Sequence, residues 1–368
     1  MRLPILGLIA ISFVLSWLLT YWMIRLAPRI GFVDKPGGRK IHANPKPLGG
    51  GIAIFASFAL PLLIMMALCW GFIPITFAEG TLAHALAGGV RMKTPLALAL
   101  LGSCLLLQVL GVMDDRKALG PYLKLVVQLG AAALLVLAFA EVRVLTALGT
   151  PISIAISILW IVAITNAFNF LDNMDGLSAG IAAIATTAFL ITTLLIEQWF
   201  IAGALSLLLG ALLGFLFWNF PPAKIFMGDS GSLVIGFILG VLTVRTTFLP
   251  RGVNWGAGWY AVFAPVIVLA VPLYDLIVVS LIRLSRGKSP FVGDTNHFSH
   301  RLVARGMSRR TAVLCLYLLT AATSIAAILL PHVTSTFAAM LIFAQTLLVL
   351  GVVALLEQHP LPPSNGSS

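Results

Sequence analysis

The sequence predicts an all-α integral membrane protein with about eleven transmembrane helices. Of its 368 residues, 60% are hydrophobic and only 10% are charged, whereas a soluble domain carries about 25% charged residues. The apolar runs are about 20 residues long, the length at which a helix crosses a bilayer, and they lack the alternation of a membrane β-strand. We attribute the net charge of +11 to membrane topology and expect no nucleic-acid partner.

Eleven apolar segments follow one another along the chain. The first is too long for a signal peptide and no small-residue cleavage site follows it, so we expect it to remain as a helix. We expect residues 1–356 to form a single polytopic domain and the Pro- and Ser-rich residues 357–368 to form a short disordered tail. The segments span residues 3–27, 49–74, 94–113, 123–140, 151–170, 176–196, 199–217, 230–249, 258–282, 311–330 and 334–356.

Basic residues predict the orientation of these segments. Of the 23 Lys and Arg residues, 17 lie in or beside the connections after segments 1, 3, 5, 7 and 9, and six lie on the other side. The positive-inside rule places the richer side in the cytoplasm, with the amino terminus outside and the carboxy terminus inside. The aspartates fall on that same side, except that Asp275 lies within the ninth segment. Asp275 either pairs with Arg283 or lies nearer the polar face, and the sequence leaves both open.

The first polar stretch is "VDKPGGRKIHANPKPLGGG", residues 33–51. Pro and Gly disfavour a helix here, so Arg39, Lys40 and His42 either anchor the chain at the membrane surface or attract an anion. Gly49 to Gly51 open the second segment. Backbone N–H groups at a helix N-terminus bind phosphate, and glycine allows a close approach, so these glycines predict a phosphate contact.

A pair of adjacent aspartates, Asp114 and Asp115, marks the second stretch, "GVMDDRKALGPYLKLVVQ". Adjacent carboxylates repel, and they persist where a cation or a proton-transfer role compensates. Lys124 and Gln128 lie one helical turn apart and can reach back toward the pair. A solvated loop is the alternative.

The third stretch, "NAFNFLDNMDGLSAG", places several polar residues at the end of an apolar segment, where carboxylates are costly and usually functional. Asn166, Asn169 and Asp172 are spaced by three, which puts them on one face if the helix continues. Asp175 and Gly176 then end that helix and begin the next. Capping explains one or two such residues, but the whole group suits hydrated Mg²⁺, a ribose or a uracil edge.

Two further stretches complete the polar set. In "NFPPAKIFMGDSGSL", Asp229 lies in a small-residue turn whose N–H groups and carboxylate suit a Mg²⁺–diphosphate pair, with Lys224 near the phosphate. In "DTNHFSHRL", His297, His300 and Arg301 follow Asp294. The His-x-x-His spacing is that of a metal pair, but no third soft ligand follows. Contacts to phosphate or sugar are therefore favoured over zinc.

In this order, the five stretches resemble the polyprenyl-phosphate N-acetylhexosamine-1-phosphate transferases, the glycosyltransferase 4 type, from about residue 33 to residue 305. The helix count and the His-x-x-His-Arg ending are more similar to the WecA/TagO-like branch than to the MraY branch. Ser299 stands where members of that branch often carry histidine. This departure leaves open which amino sugar is accepted.

The resemblance implies a Mg²⁺-dependent enzyme, with Mn²⁺ as an alternative ion. It would transfer N-acetylhexosamine-1-phosphate, with N-acetylglucosamine as the first choice of sugar, from a UDP-sugar to undecaprenyl phosphate and release UMP. This would be the first membrane step of a cell-envelope polysaccharide pathway. The resemblance also implies a multi-pass protein of the bacterial cytoplasmic membrane, an active site on the cytoplasmic face, and a homodimer.

The same resemblance assigns roles to residues of this chain. Asp229 would bind Mg²⁺ together with Asn169, and Asp114 or Asp115 would act as base or orient the phosphate. Lys124 would bind phosphate or support the aspartate pair. The remaining substrate contacts would come from Asn166, Asp172, Asp175, Asn219, His297, His300, Arg301, Arg39, Lys40 and His42.

The polar stretches are compatible in part with other functions. A phospho-N-acetylmuramoyl-pentapeptide transferase of the MraY type is the nearest alternative. A transporter is the alternative from another class, although transporters hold ionisable residues near the bilayer midplane in paired repeats, whereas these charges crowd one face. A CDP-alcohol phosphotransferase is excluded, because no Ala-Arg pair follows Asp175-Gly176.

Overall fold

The computed structural model describes residues 2–34, 45–72, 82–246, 248, 259–289 and 296–358. Within these ranges the chain is helical except for connections and a short antiparallel pairing of Val33–Asp34 with Lys46–Pro47. Short 3-10 turns lie at Thr146–Leu148, Trp259–Phe263 and Leu330–His332. The helices are α1 (Arg2–Arg29), α2 (Gly50–Cys69), α3 (Leu82–Arg116), α4 (Pro121–Ala138), α5 (Thr150–Leu171), α6 (Leu177–Leu195), α7 (Trp199–Asn219), α8 (Asp229–Arg245), α9 (Ala264–Val268), α10 (Ala270–Ser285), α11 (Phe298–Ala304), α12 (Arg309–Leu329) and α13 (Thr336–Gln358).

These helices confirm the predicted class, an all-α integral membrane protein. Within the described ranges, nine helices are long and apolar enough to cross a membrane, and a bent pair, Trp259–Val268 with Ala270–Ser285, gives up to ten. The pair bends by 68°. The eighth predicted segment corresponds to α8, which has only 17 residues, fewer than the roughly 20 of a typical span. The total of eleven spans therefore remains a prediction.

Helix α8 forms the centre of the bundle. Every residue from Ser230 to Val244 is buried, and α3 and α5 pack along it. Gly236 and Gly240 face α5 so closely that a Cβ on Gly236 would lie 2.7 Å from Thr165 Cα. Small residues at such a crossing let helix backbones approach, as is common in membrane proteins. The core is thus organised around a helix that is shielded from lipid by its neighbours.

The start of α8 packs against glycines of α2 and α3. A Cβ on Gly51 would lie 2.2 Å from Gly231 N, and a Cβ on Gly111 would lie 2.4 Å from Ser230 Cα. The Gly50 and Gly51 N–H groups donate to the carbonyls of Phe226 and Met227, each over 3.1 Å. The phosphate contact predicted for these two N–H groups is therefore wrong. The sequence has glycine here because two backbones meet.

At the opposite end of α8, Glu141 forms ion pairs with Lys93 over 2.5 Å and with Arg245 over 3.0 Å. These ion pairs join the connection that follows α4 to α3 and to the last turn of α8. The two ends of α8 are thus held by different chemistry, with backbone packing at one end and paired charges at the other.

Candidate active site

The candidate site is centred on Asp229, the first residue of α8. Its Oδ2 accepts a hydrogen bond from Lys124 Nζ over 2.8 Å, and its Oδ1 accepts one from Asn169 Nδ2 over 2.9 Å. Lys124 lies in the first turn of α4 and Asn169 in the last turn of α5. Residues predicted from three separate stretches of sequence therefore meet at one carboxylate.

Lys124 bridges two carboxylates. Its ammonium also lies 3.2 Å from Asp114 Oδ2, while Asp114 Oδ1 accepts the Leu119 N–H over 2.7 Å. Lys124 thus reaches back to the aspartate pair, as its position in the helix indicated. Gln128, one turn further on, instead accepts a hydrogen bond from Asn166 Nδ2 over 2.6 Å. Asn166 therefore helps to join α5 to α4 beside the site.

The second aspartate of the pair has different partners. Asp115 Oδ1 accepts the Asp229 N–H over 2.8 Å, and its Oδ2 accepts the Ser230 N–H over 3.3 Å. A carboxylate at a helix N-terminus satisfies orphan N–H groups and interacts favourably with the helix dipole. The N–H groups that the sequence offered for diphosphate are occupied by Asp115. Gly228 permits this approach, because a Cβ there would lie 2.4 Å from Asp115 Oδ2.

The end of α5 supplies the next wall. The helix ends at Leu171, and Asp172 has φ −79° and ψ 46°, so the predicted helical face is interrupted after Asn169. Burial raises the pKa of Asp172 well above its ordinary value, and the negative charges of Asp229 and Asp115 raise it further. A backbone hydrogen bond from Gly228 acts in the opposite direction.

Asp114, Asp115, Asp172 and Asp229 bring four carboxyl groups to the position where Lys124 contacts two of them. The nearby atoms that could bind a metal are carboxylate and amide oxygens, which suit Mg²⁺ rather than zinc. Within the described ranges, no three His, Cys, Asp or Glu side chains are arranged to hold a metal by themselves. A hard cation that keeps several water or substrate oxygens fits this arrangement.

Asp175 and Asn219 hold the connection between α7 and α8. Asp175 Oδ2 accepts the Ala223 N–H over 2.9 Å, and Asn219 Oδ1 accepts the Gly176 N–H over 2.9 Å. Asn219 Nδ2 also donates to the Ile225 carbonyl over 2.8 Å. Asn219 is buried, and both ends of its amide are bonded within the chain. These two residues thus shape the turn that presents Asp229.

Lys224 makes a contact that the sequence did not predict. Its ammonium is 4.8 Å from the centre of the Trp218 ring, a cation–π contact. This contact directs the side chain toward the end of α7.

The histidine stretch is attached to the end of α5. Asp275 accepts hydrogen bonds from His297 Nδ1 over 2.9 Å and from the Phe298 N–H over 2.7 Å. Ser299 Oγ donates to Asn173 Oδ1 over 2.6 Å. Asp275 therefore lies toward the polar end of the bundle. This is the second of the two positions that the sequence left open. In the sequence, Ser299 stands out only as a departure from the family pattern, and no motif indicates its contact with Asn173.

The other two residues of this stretch differ in their surroundings. Burial and the nearby His297 and Arg309 lower the pKa of His300, while Asp275 acts in the opposite direction. Arg301 donates to Glu357 over 2.5 Å and to the Asn296 carbonyl. That ion pair joins α11 to α13, a contact that no sequence motif signalled. Arg39, Lys40, His42 and Asp294 lie outside the described residues.

Together, the helices and the acidic site define a polytopic membrane protein with a carboxylate-rich polar centre at one end of its bundle. Residues 97–247 match the family described as glycosyl transferase family 4. This range contains the described aspartate cluster together with Lys124 and Asn169.

Curated relatives extend the match over most of the chain. A "Probable undecaprenyl-phosphate N-acetylglucosaminyl 1-phosphate transferase" of Bacillus subtilis is 34% identical over 349 residues, covering 91% of this chain and 88% of the relative. A "Decaprenyl-phosphate N-acetylglucosaminephosphotransferase" of Mycolicibacterium smegmatis is 34% identical, covering 86% and 79%. An "Undecaprenyl-phosphate alpha-N-acetylglucosaminyl 1-phosphate transferase" of Escherichia coli is 26% identical, covering 84% and 79%. The chain belongs to glycosyl transferase family 4, which confirms the resemblance of its motifs.

Proposed function

We propose that this protein transfers N-acetylglucosamine-1-phosphate from UDP-N-acetylglucosamine to undecaprenyl phosphate and releases UMP. The names of the three relatives share the sugar phosphate and a polyprenyl phosphate acceptor. The observation that carries the proposal for this chain is the contact of Lys124 and Asn169 with the Asp229 carboxylate at the start of α8. A lysine and an amide beside this carboxylate support a site that would bind a diphosphate together with a divalent cation.

The transfer exchanges one phosphorus–oxygen bond for another. An oxygen of the lipid phosphate attacks the phosphorus that carries the sugar. The bond from that phosphorus to the UMP oxygen breaks, and its electron pair leaves with UMP. Because both reactants are anions, the site has to offset their repulsion and hold them in line. Lys124 supplies positive charge at this point.

Asp229 and Asn169 would hold Mg²⁺, with Mn²⁺ as the alternative ion. When bound, the ion supplies charge neutralisation for the diphosphate and for the departing UMP. Asn169 Nδ2 donates to Asp229 and to Ser232 Oγ over 3.0 Å, which fixes the plane of the amide. The resulting orientation gives the Asn169 carbonyl oxygen a defined direction as a ligand.

The two adjacent aspartates have separate roles in this proposal. Asp115 uses both carboxylate oxygens on the first N–H groups of α8 and so positions Asp229. Asp114 faces Lys124, and we assign it the contact with the lipid phosphate, either as a base or as an orienting group. Asn166, Asp172 and His300 would contact the nucleotide sugar. Asp175 and Asn219 would act by shaping the turn before α8.

The membrane orientation belongs to the same proposal. The excess of Lys and Arg puts the aspartate end of the bundle in the bacterial cytoplasm, where nucleotide sugars are made, with eleven spans, the amino terminus outside and the carboxy terminus inside. The polyprenyl chain would lie in lipid between helices, and the protein would form a homodimer. Four aspartates gather at one end of the bundle, whereas Glu141 pairs with Lys93 and Arg245 at the other. This asymmetry favours a transferase over a transporter.

The test uses purified protein in detergent with undecaprenyl phosphate, Mg²⁺ and a panel of UDP-sugars, and it follows UMP release. We expect release with UDP-N-acetylglucosamine that requires the lipid and is lost with EDTA. Release with only UDP-N-acetylmuramoyl-pentapeptide would favour the MraY type instead. No release with any donor, from protein shown to be folded, would overturn the proposal.

A matched pair of variants belongs in that assay. Asp229→Asn keeps the shape of the side chain and removes its charge, so we expect it to abolish release. Glu197→Gln changes an exposed carboxylate in the connection between α6 and α7 and should leave release at the wild-type rate.

A further inference from the structure

Asp275 is a buried carboxylate to which the transfer chemistry gives no part. It lies in α10, is only 1% exposed, and directs both oxygens at the chain that begins α11. Oδ2 lies 2.9 Å from His297 Nδ1, and Oδ1 accepts the Phe298 N–H over 2.7 Å. A buried charge is costly without strong partners. We therefore ask what the two hydrogen bonds of Asp275 do for the segment that begins α11.

The partners of His297 indicate which of its ring nitrogens donates and which accepts. A carboxylate only accepts hydrogen bonds and a guanidinium only donates them. Asp275 therefore places the proton on Nδ1, and Arg283, whose nitrogen lies 3.4 Å from Nε2, leaves that nitrogen as the acceptor. With both ring nitrogens engaged within the protein, His297 acts as a fixed support rather than as a contact for substrate.

The same segment is attached to the end of α5. The His297 ring meets the Phe170 ring edge-on, with centres 5.5 Å apart. Ser299 donates to Asn173 Oδ1, and Asn173 Nδ2 donates to the Phe170 carbonyl. Phe170 and Asn173 flank Asp172, whose carboxylate lies in the electrostatic field of Asp229. Asp275 thus holds α11 against the turn that carries a wall of the site.

We propose that Asp275 is a positioning residue for the sugar-nucleotide donor, because it fixes His297 at the start of α11, the helix that carries His300 and is attached to the end of α5. The inference rests on the proposed function and adds a residue to it. His297 precedes the first residue of α11 and His300 lies one turn further on, with ring centres 6.4 Å apart, so a shift of this helix start would move both rings. The acceptor lipid phosphate, placed at Asp114, should not depend on this contact.

Asp275→Asn tests the proposal with little change of shape. An Asn side chain has one acceptor oxygen, whereas Asp275 serves two donors, so either His297 or the Phe298 N–H loses its partner. A lost hydrogen bond to a charged group corresponds to about 10-fold or more. We expect the KM for UDP-N-acetylglucosamine to rise about 10-fold, with kcat and the KM for undecaprenyl phosphate close to wild type. Ser285→Ala, at an exposed position of the same helix, should change none of these constants.

Ser299→Ala is the second variant, and it keeps the test decisive if Asp275→Asn does not fold. It removes only the hydrogen bond to Asn173, so we expect a smaller rise in the same donor KM. An unchanged donor KM in both folded variants, or a rise confined to the lipid KM, would overturn the proposal.

A readout independent of turnover uses protein labelled with ¹³C and ¹⁵N histidine. We expect the His297 signal, identified by its loss in His297→Gln, to show the Nδ1–H tautomer and to change in Asp275→Asn. An Nε2–H tautomer in the wild type would overturn the assignment. If the wild type did not release UMP from any of the donors, the proposed function would fail. The histidine signal would still decide whether Asp275 fixes His297.

Discussion

The Asp115 carboxylate and the Asp229 backbone form a hydrogen bond of 2.8 Å between two stretches of sequence 114 residues apart. Asp115 therefore holds the N-terminus of the helix whose first side chain contacts Lys124 and Asn169. One carboxylate is used to place another. The adjacent Asp114 is left to face Lys124, which separates the roles of two residues that the sequence presents as a pair.

The first prediction separates Asp115 from Asp114. We expect Asp115→Asn to lower thermal stability more than Asp114→Asn does, because Asp115 accepts two backbone N–H groups at the start of α8, whereas Asp114 accepts one, from Leu119. A lost helix cap costs about 1 kcal/mol, and the lost interaction of a charge with the helix dipole adds about 0.5 kcal/mol. Thermal unfolding in detergent measures the difference. Equal unfolding temperatures for the two variants would contradict the capping role.

The second prediction concerns Lys124. Lys124→Met leaves Asp114 and Asp229 without the ammonium between them, so we expect kcat to fall by about 100-fold, in line with the loss of one preorganised charge stabiliser. Lys117→Met, at an exposed lysine in the connection between α3 and α4, is the matched control and should retain wild-type activity. A Lys124 variant with more than a tenth of wild-type kcat would show that the bridge is structural.

The third prediction uses two glycines of α3. A Cβ on Gly111 would meet backbone atoms of Ser230 at 2.4 Å, whereas a Cβ on Gly102 would meet nothing within 4 Å. We expect Gly111→Ala to lower both thermal stability and UMP release, because the added methyl group forces the backbone of α3 or of α8 to move. Gly102→Ala should be neutral or slightly stabilising, since alanine favours a helix by about 1 kcal/mol over glycine. Similar effects of both changes would contradict the close packing of α3 on α8.

The fourth prediction concerns pH. Burial is the main cause that lowers the pKa of His300, and the positive charge of Arg309 acts in the same direction. The unfolded chain therefore binds this proton more readily than the folded protein does. Stability should therefore fall as the pH drops below about 6.5, the ordinary histidine pKa. His300→Gln removes this contribution, so its unfolding temperature should fall less between pH 7.5 and pH 5.5 than that of the wild type. An identical fall in both proteins would contradict the lowered pKa.

The helices and the meeting of the polar stretches could be predicted from sequence, for a physical reason. Lipid requires apolar runs of a fixed length, and polar residues at membrane depth require partners, so Asp229, Lys124 and Asn169 stand out from their surroundings. The position of Lys124 one turn from Gln128 even predicted that its side chain reaches the aspartate pair.

Hydrogen-bond partners that depend on how the backbones pack could not be predicted. Gly50 and Gly51 have the composition of a phosphate-binding turn, but their N–H groups meet the carbonyls of Phe226 and Met227. In the same way, nothing in the residue types of Asp114 and Asp115 tells which of them accepts the N–H groups of α8. Contacts between stretches far apart in the chain, such as that of Ser299 with Asn173, depend on the packed fold.

The glycine contacts around the start of α8 bear on how the donor range of this enzyme can be altered. Beneath Asp229, the backbones of α2 and α3 contact the backbone of α8 at Gly51 and Gly111. We call this contact the glycine floor, and neither glycine has a side chain that could be exchanged to accept a larger or smaller sugar. The start of α11, which we propose lies at the donor site, is held by side chains that include Asp275 and Ser299. A library aimed at new sugar donors should therefore vary the residues around α11 and leave the glycine floor untouched.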